Sequence, residues 1–432
     1  MAQANTASGT NTQEERPGTQ RWILVGAALL LQFSIGAVYA WSVFGSALRD
    51  EEAAPDWALS NVQASLPFTV TIGMIFIGTY TGGRIQDRTG PKLVALTGGV
   101  IYSIGVLLAG LSSGADQLWL LLLGYGVISG FGLGVAYIVP IAMLQKWFPD
   151  KKGLITGLAV GGFGFGAVAT SPVAQWLIDQ DPSQPTRAFL WLGAAYLVMS
   201  LVGAAFFKNP PEGYVVPGYE TGGADSADTA KEYEQGEALR TPQWYLLTAI
   251  LTLNVTVGIA LISVAAGSAE GIAGYSAAGA ATVVGVLAVF NGAGRIVWAA
   301  ASDYVGRMPA FAAMLGLSGV SLLVLPHAGN PVLWFVLASV IYLCYGGGFG
   351  TMPATAGDFF GVKNAGAIYG LMLVGWSLGG VVGPILISWL IGGEANYTLG
   401  YTVMGIIGVV AVALTLITKI PQDRRQGAAR GA

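Results

Sequence analysis

The chain is short of the groups that most protein chemistry relies on. Among 432 residues there is one cysteine, Cys344, and one histidine, His327. A single thiol cannot build a disulfide framework or a multi-cysteine metal site. A lone imidazole beside Pro326 gives His-cluster metal chemistry no material, so neither metal nor cofactor is expected. Charge is scarce as well: 10% of residues are Asp, Glu, Lys or Arg, against about 25% in soluble domains. In their place stand 54% hydrophobic residues and 64 glycines, with a mean hydropathy of +0.63. That balance describes an all-α integral membrane protein, in which small residues let helices pack closely. The net charge of −3 decides little; the positions of the charges decide more.

Apolar runs of about 20 residues are candidate membrane helices. They fall at 22–48, 61–83, 93–112, 116–145, 153–177, 187–207, 243–268, 276–301, 309–326, 331–356, 365–391 and 399–419. The opening MAQANTASGTNTQEERPGTQ is polar and lacks the short apolar region and cleavage site of a signal peptide, so 1–21 is expected to be a disordered tail. The Gly-, Pro- and acid-rich segment 208–241 separates six spans from six and reads as a linker. The division is therefore a half at 22–207, the linker, a half at 242–419, and a second tail at 420–432. With both termini cytoplasmic, every Lys and Arg lies on the cytoplasmic side except Arg49, Arg187 and Arg295, which sets the orientation.

The halves echo each other. GGRIQDRTGPK follows span 2 and ASDYVGR follows span 8, so that Asp87 and Gly90 repeat as Asp303 and Gly306. Pro140, Gly153 and Gly157 recur as Pro353, Gly366 and Gly370 at identical spacings. A parallel 6+6 repeat of this kind builds one large class of secondary transporters. The glycine runs GFGLG (130–134) and GGFGFG (161–166) are not nucleotide loops, because they lie inside spans with no Lys-Ser/Thr after them. Small-xxx-small packing accounts for them, and without an ATP loop the chain is no primary pump. Pro172 and Pro384, in matching places, are expected to break spans 5 and 11 as hinges.

One charge stands out. Arg295 lies eight positions before Asp303, about 12 Å of helix rise inside span 8, with no acidic residue in reach. A central charge costs on the order of 3 kcal/mol on insertion scales, so something must compensate. A structural ion pair is one answer, but the spans offer no partner. A guanidinium facing a cavity, whose planar fork matches a carboxylate, is the other. At the equivalent offset from Asp87 the first half carries only Thr79.

The loop Gly83, Asp87, Arg88, Gly90, Lys92 matches the signature of the major facilitator superfamily, which the chain resembles over nearly its whole length. The stretches AVYAWSVF, GVAYIVPIAMLQKWFPDKKGLITGL, LRTPQWYLL and FNGAGR…SDYVGR resemble the oxalate/formate antiporter family and the monocarboxylate transporters. The resemblance implies a 6+6 fold, alternating access and a carboxylate bound by Arg295. Tyr137, Tyr345, Phe349 and Trp376 match its cavity-lining positions. Tyr39, Trp41, Tyr342 and Tyr369, aromatics inside spans 1, 10 and 11, join them as candidates beside ordinary helix packing, since tyrosine hydroxyls bond a second carboxylate oxygen. It also implies gating roles for Gly83, Arg84, Asp87, Arg88, Gly90 and Lys92, with Asp150, Lys151, Lys152, Asp303, Gly306 and Arg307 in the same cytoplasmic layer.

The chain departs from the oxalate-carrier type at Trp376, where that type has a lysine. One fixed cation suits one carboxylate, whereas a dianion would leave a charge uncompensated in low dielectric. The expectation is a multi-pass carrier in the cell's inner membrane that moves lactate, pyruvate or formate by proton-coupled symport, with Glu270 as the candidate proton carrier. The alternatives are oxalate/formate-type exchange, which a bare buried cation that crosses reluctantly would suit, and an anion sensor that does not transport. An enzyme is not expected, because the spans hold no His, Cys or paired-carboxylate constellation. Partners would be the anion, a proton or counter-anion and the bilayer, without nucleic acid, around a monomer.

Overall fold

A computed structural model describes residues 17–148, 152–211, 214, 216, 231–361, 364–392 and 396–421, with the backbone alone at 17–20, 87, 152–154 and 156. The described residues form helices and connecting loops, and 12 helices are long and apolar enough to cross a membrane. In chain order these spans are Arg21–Ala47, Asn61–Gln86, Pro91–Ala109, Ala115–Trp147, Gly157–Gln180, Pro185–Ala205, Pro242–Ala273, Ala277–Val305, Arg307–His327, Pro331–Phe360, Ala365–Ile391 and Tyr397–Ile417.

Packing repeats with the sequence. Span 2 lies on span 4 as span 8 lies on span 10, and span 3 on span 6 as span 9 on span 12. Between the halves, span 2 meets span 11 and span 5 meets span 8, which are equivalent pairs. The glycine stripes serve these contacts: Gly126, Gly130 and Gly134 face span 2, and Gly375, Gly379 and Gly383 face span 7. An even number of crossings puts both ends of the described chain on one face, here called the terminal face. Exposed Trp119, Trp176, Trp191 and Trp389 all sit at span ends on the opposite face, the level at which amphipathic rings anchor a membrane protein.

Local chemistry sets the helix boundaries. Ser60 and Gln63 form a reciprocal cap at the start of span 2, and Thr241, Ser276 and Asn330 each accept a bond from a backbone N–H as spans 7, 8 and 10 begin. Gly90 and Gly306 end spans 2 and 8 at φ +83° and +93°, a conformation that side chains with a Cβ resist. This is why both repeat loops keep Asp-x-x-Gly spacing.

The hinge expectation is corrected. Pro172 and Pro384 lie inside helices Ala167–Gln180 and Val374–Ile391. The breaks come earlier, at 165–166 in span 5 and at Leu373 in span 11. Each Pro therefore lies within a regular helix that begins after the break. Span 1 is also irregular, with a tight 3-10 turn at Gly36–Ala40.

Candidate functional site

The helix irregularities converge on one place. A Cβ on Gly36 would collide with the carbonyl of Phe163, so the tight turn of span 1 and the broken part of span 5 touch through their backbones. That contact brings Tyr39 and Phe163 together with ring centroids 5.2 Å apart. The ring closes on itself: Phe163 to Tyr137 at 5.1 Å, Tyr137 to Trp376 at 5.2 Å, Trp376 to Phe349 at 5.0 Å, Phe349 to Tyr345 at 5.3 Å and Tyr345 back to Tyr39 at 5.8 Å. Spans 1, 4, 5, 10 and 11 contribute, so both halves build the cage.

Arg295 belongs to this cage and is fully buried. Its carbon Cζ lies 4.8 Å from the Phe349 centroid and 5.7 Å from that of Phe163. Tyr39, Tyr137, Tyr345 and Tyr369 lie near enough to interact with it electrostatically. None of Nε, Nη1 and Nη2 completes a hydrogen bond to a protein acceptor, and no described acid forms an ion pair with it. Each aromatic face recovers about 1–2 kcal/mol when desolvated, while an uncompensated buried cation costs several kcal/mol. The cage therefore holds a cation lacking an anion.

Other polar groups around it are also unsatisfied. The hydroxyls of Tyr137 and Tyr369 and the indole N–H of Trp376 have no bonded partner, whereas the Tyr39 and Tyr345 hydroxyls are 2.9 Å apart. Asn291, one helical turn before Arg295, is fully buried with both amide atoms unpartnered. A single carboxylate with one further oxygen has the donors and acceptors to serve this set.

A cavity of about 540 Å³ runs between the halves from the terminal face to Tyr137 and Tyr369. Thr79, the first-half counterpart of Arg295, lines it and bonds only its own helix at Phe76 O, 3.0 Å. On the opposite face the halves are joined. Ser46 donates to Glu270 at 3.2 Å, Arg49 Nη1 donates to Asn61 at 2.6 Å, and Asn61 in turn donates to the Gly392 carbonyl. The cavity thus opens to the terminal face and ends at Tyr137 and Tyr369, beside the buried cage.

Sequence-selected residues separate into those inside and outside this site. Arg295, Tyr39, Tyr137, Tyr345, Phe349 and Trp376 come together. Trp41 does not: it packs with Phe44, Tyr125 and Phe189 in the first half. Glu270 lies at the opposite-face end of span 7, away from the cage. Gly83 lines the cavity with open space around it. Arg307 pairs with Asp303 at 2.6 Å and Asp358 at 2.8 Å, joining the ends of spans 8 and 10 on the terminal face. Asp150, Lys151 and the side chains of Asp87 and Lys152 lie outside what is described.

Phe163 was missed as a site residue, and so was Asn291 as a buried polar neighbour of Arg295. Phe163 is the aromatic within GGFGFG, a run read only as packing. Asn291 stands a turn from Arg295 in FNGAGR, so the i, i+4 rule applied to that arginine would have found it.

The fold sets an aromatic cage around a buried cation between two repeated halves. Residues 23–356 and 250–432 match the Major Facilitator Superfamily, and the chain belongs to that family. It is 29% identical over 360 residues to the uncharacterised transporter YhjX of Escherichia coli, covering 83% of this chain and 85% of that one. To the oxalate:formate antiporter of Oxalobacter formigenes it is 28% identical over 358 residues, 81% and 80% of the two chains. To rat monocarboxylate transporter 13 it is 26% identical over 439 residues, 95% and 94%. A bacterial homologue of the human lysosomal transporter Spinster, solved inward-facing and unoccupied, shares the fold with a TM-score of 0.69 at 16% identity, over 94% of this chain and 98% of that one.

Proposed function

We propose that this multi-pass transporter carries small monocarboxylates of the lactate, pyruvate and formate class across the cell's inner membrane by alternating access, with Arg295 binding the carboxylate. One observation carries the reading: a fully buried arginine, caged by aromatic rings from both halves, has no acid to pair with among the described residues and only tyrosine hydroxyls in reach of its nitrogens. Among the described residues Arg295 is the one fully buried cation, and the cage that surrounds it is aromatic and small. Both features favour a monoanion of a few carbons over a dianion. Relatives named for oxalate and formate and for monocarboxylates support that substrate class. The chain's termini and 208–241 linker would face the cytoplasm.

Substrate binding neutralises the arginine and lets both halves close around it. Proton-coupled symport is the first reading of the coupling, with Glu270 at the junction of spans 1 and 7 as the carrier. Exchange of one carboxylate for another is the second, favoured by the same unpaired Arg295, which resists crossing empty.

Labelled lactate, pyruvate, formate and oxalate in proteoliposomes test these readings. Lactate or formate uptake lost in Arg295→Gln is expected, with oxalate the weaker substrate. Uptake of all four unchanged in that variant would remove the central claim. Uptake driven by a proton gradient and abolished in Glu270→Gln would distinguish symport from exchange, which needs only a counter-anion.

A further inference from the structure

The cavity leading to the cage carries a charge pattern of its own. Among the described residues lining it, Arg84 is the one charged side chain; Gln86, Gln145 and Gln235 are uncharged and no carboxylate takes part. Arg84 is exposed and forms no ion pair or hydrogen bond, and its guanidinium rests on the face of Tyr80 at 4.3 Å. Tyr80 in turn stacks on Phe76 at 6.3 Å. Phe76, Tyr80 and Arg84 are spaced four apart, so they form one ladder along span 2. The ladder holds the cation at the cavity mouth, while Tyr137 and Tyr369 at its inner end adjoin Arg295.

We propose that Arg84 is a second anion site, a capture point at the terminal-face mouth that hands a carboxylate inward to Arg295. The chemistry is simple. A cation on a flat aromatic support, with no bound carboxylate to neutralise it, attracts anions into a cleft whose low-dielectric walls focus its field. Among the described lining residues no acid stands on the path to repel them. Because the opposite face is bonded shut in this arrangement, the site serves traffic from the terminal face alone. Arg84 contacts the anion before it reaches Arg295 and takes no part in the cage, so its loss should weaken capture, and the salt dependence of KM separates that loss from the gating role the loop resemblance implies.

The inference rests on the carboxylate reading above, and the experiment separates the two. Labelled lactate uptake is measured in right-side-out and inverted membrane vesicles for wild type, Arg84→Gln and Arg84→Lys, at about 10 mM and about 0.5 M salt. Arg84→Gln should raise KM about three- to tenfold for transport entering at the terminal face at low salt. By detailed balance the ratio of maximal rate to KM should fall by the same factor for entry at the opposite face. High salt should erase the difference, and lysine should restore most of the effect because a point charge suffices. An equal KM in wild type and Arg84→Gln at low salt, or a rise that salt does not reduce, would overturn the proposal. A wild-type protein that moves no lactate, formate or pyruvate overturns the carboxylate reading and this one together. Normal lactate transport with an unaffected Arg84→Gln overturns this one alone.

Discussion

The hydroxyl of Tyr39 lies 2.9 Å from that of Tyr345, one bond joining span 1 of the first half to span 10 of the second beside the buried Arg295. Their rings also meet edge to face, 89° apart. A carrier that alternates its access must break or re-form this contact in each cycle, so the pair lies on the path of the motion and within the cage at once.

That pairing predicts a non-additive effect. Tyr39→Phe leaves the Tyr345 hydroxyl buried without its partner, a cost of about 1–3 kcal/mol. The double variant Tyr39→Phe/Tyr345→Phe removes both polar groups and should be less destabilised than the sum of the singles. Thermal unfolding in detergent for the three variants measures this, with a coupling of about 1 kcal/mol expected. Additive losses would mean that the hydroxyls do not act on each other.

Arg295→Met should separate stability from function. Removing an unpaired buried cation in favour of an apolar chain of similar length is expected to stabilise the protein by about 1–4 kcal/mol while abolishing carboxylate transport. Saturating lactate should raise the melting temperature of wild type and leave that of the variant unchanged, because a ligand stabilises only the state that binds it. A variant that melts lower than wild type would show the guanidinium already paired.

Trp376 closes the ring between Tyr137 and Phe349. Trp376→Lys puts a second cation in the cage, which then has a partner for each end of a dianion. Uptake of labelled oxalate should rise relative to lactate by about tenfold or more, with lower stability because a large buried ring is lost. An unchanged oxalate-to-lactate ratio would show that the charge count does not set selectivity.

Spans 8 and 10 touch through their backbones at Arg295. A Cβ on Gly350 would run into the Arg295 carbonyl, so Gly350→Ala should push the spans apart and shift the guanidinium. A loss of about 1–3 kcal/mol is expected from such overpacking, with transport falling further than stability alone explains. The exposed ion pair offers a contrast. Asp358 is 47% exposed where it meets Arg307, so Asp358→Asn should change stability by about 1 kcal/mol or less. Unfolding curves for the two variants compare these directly.

Much of this protein was readable before any fold was known. Hydropathy located the spans because lipid tolerates few charges over about 20 residues, and the repeated Asp-x-x-Gly loops and Pro-Gly-Gly spacings marked two copies of one unit. The same reasoning singled out Arg295, since a charge without a sequence partner is conspicuous among apolar residues. The aromatic cage was harder to read. Tyr137, Tyr345, Phe349 and Trp376 could be named only by resemblance, and Tyr39 only as an aromatic of span 1, where Trp41 was as good a candidate. Tertiary packing separated them, because hydropathy distinguishes membrane from water but not a lipid-facing or core-facing ring from one turned to a central cleft.

The sequence alone determined the number of spans, their repeat and the presence of one unpaired cation, since each follows from the cost of polar groups in hydrocarbon. Only the tertiary structure decided which helices bend, that Phe163 and Asn291 enter the site, and that the halves are closed on one face and open on the other. Those features depend on contacts between segments far apart in the chain. Gly36 against Phe163 and Tyr39 against Tyr345 are meetings of spans 1, 5 and 10 that no local pattern encodes.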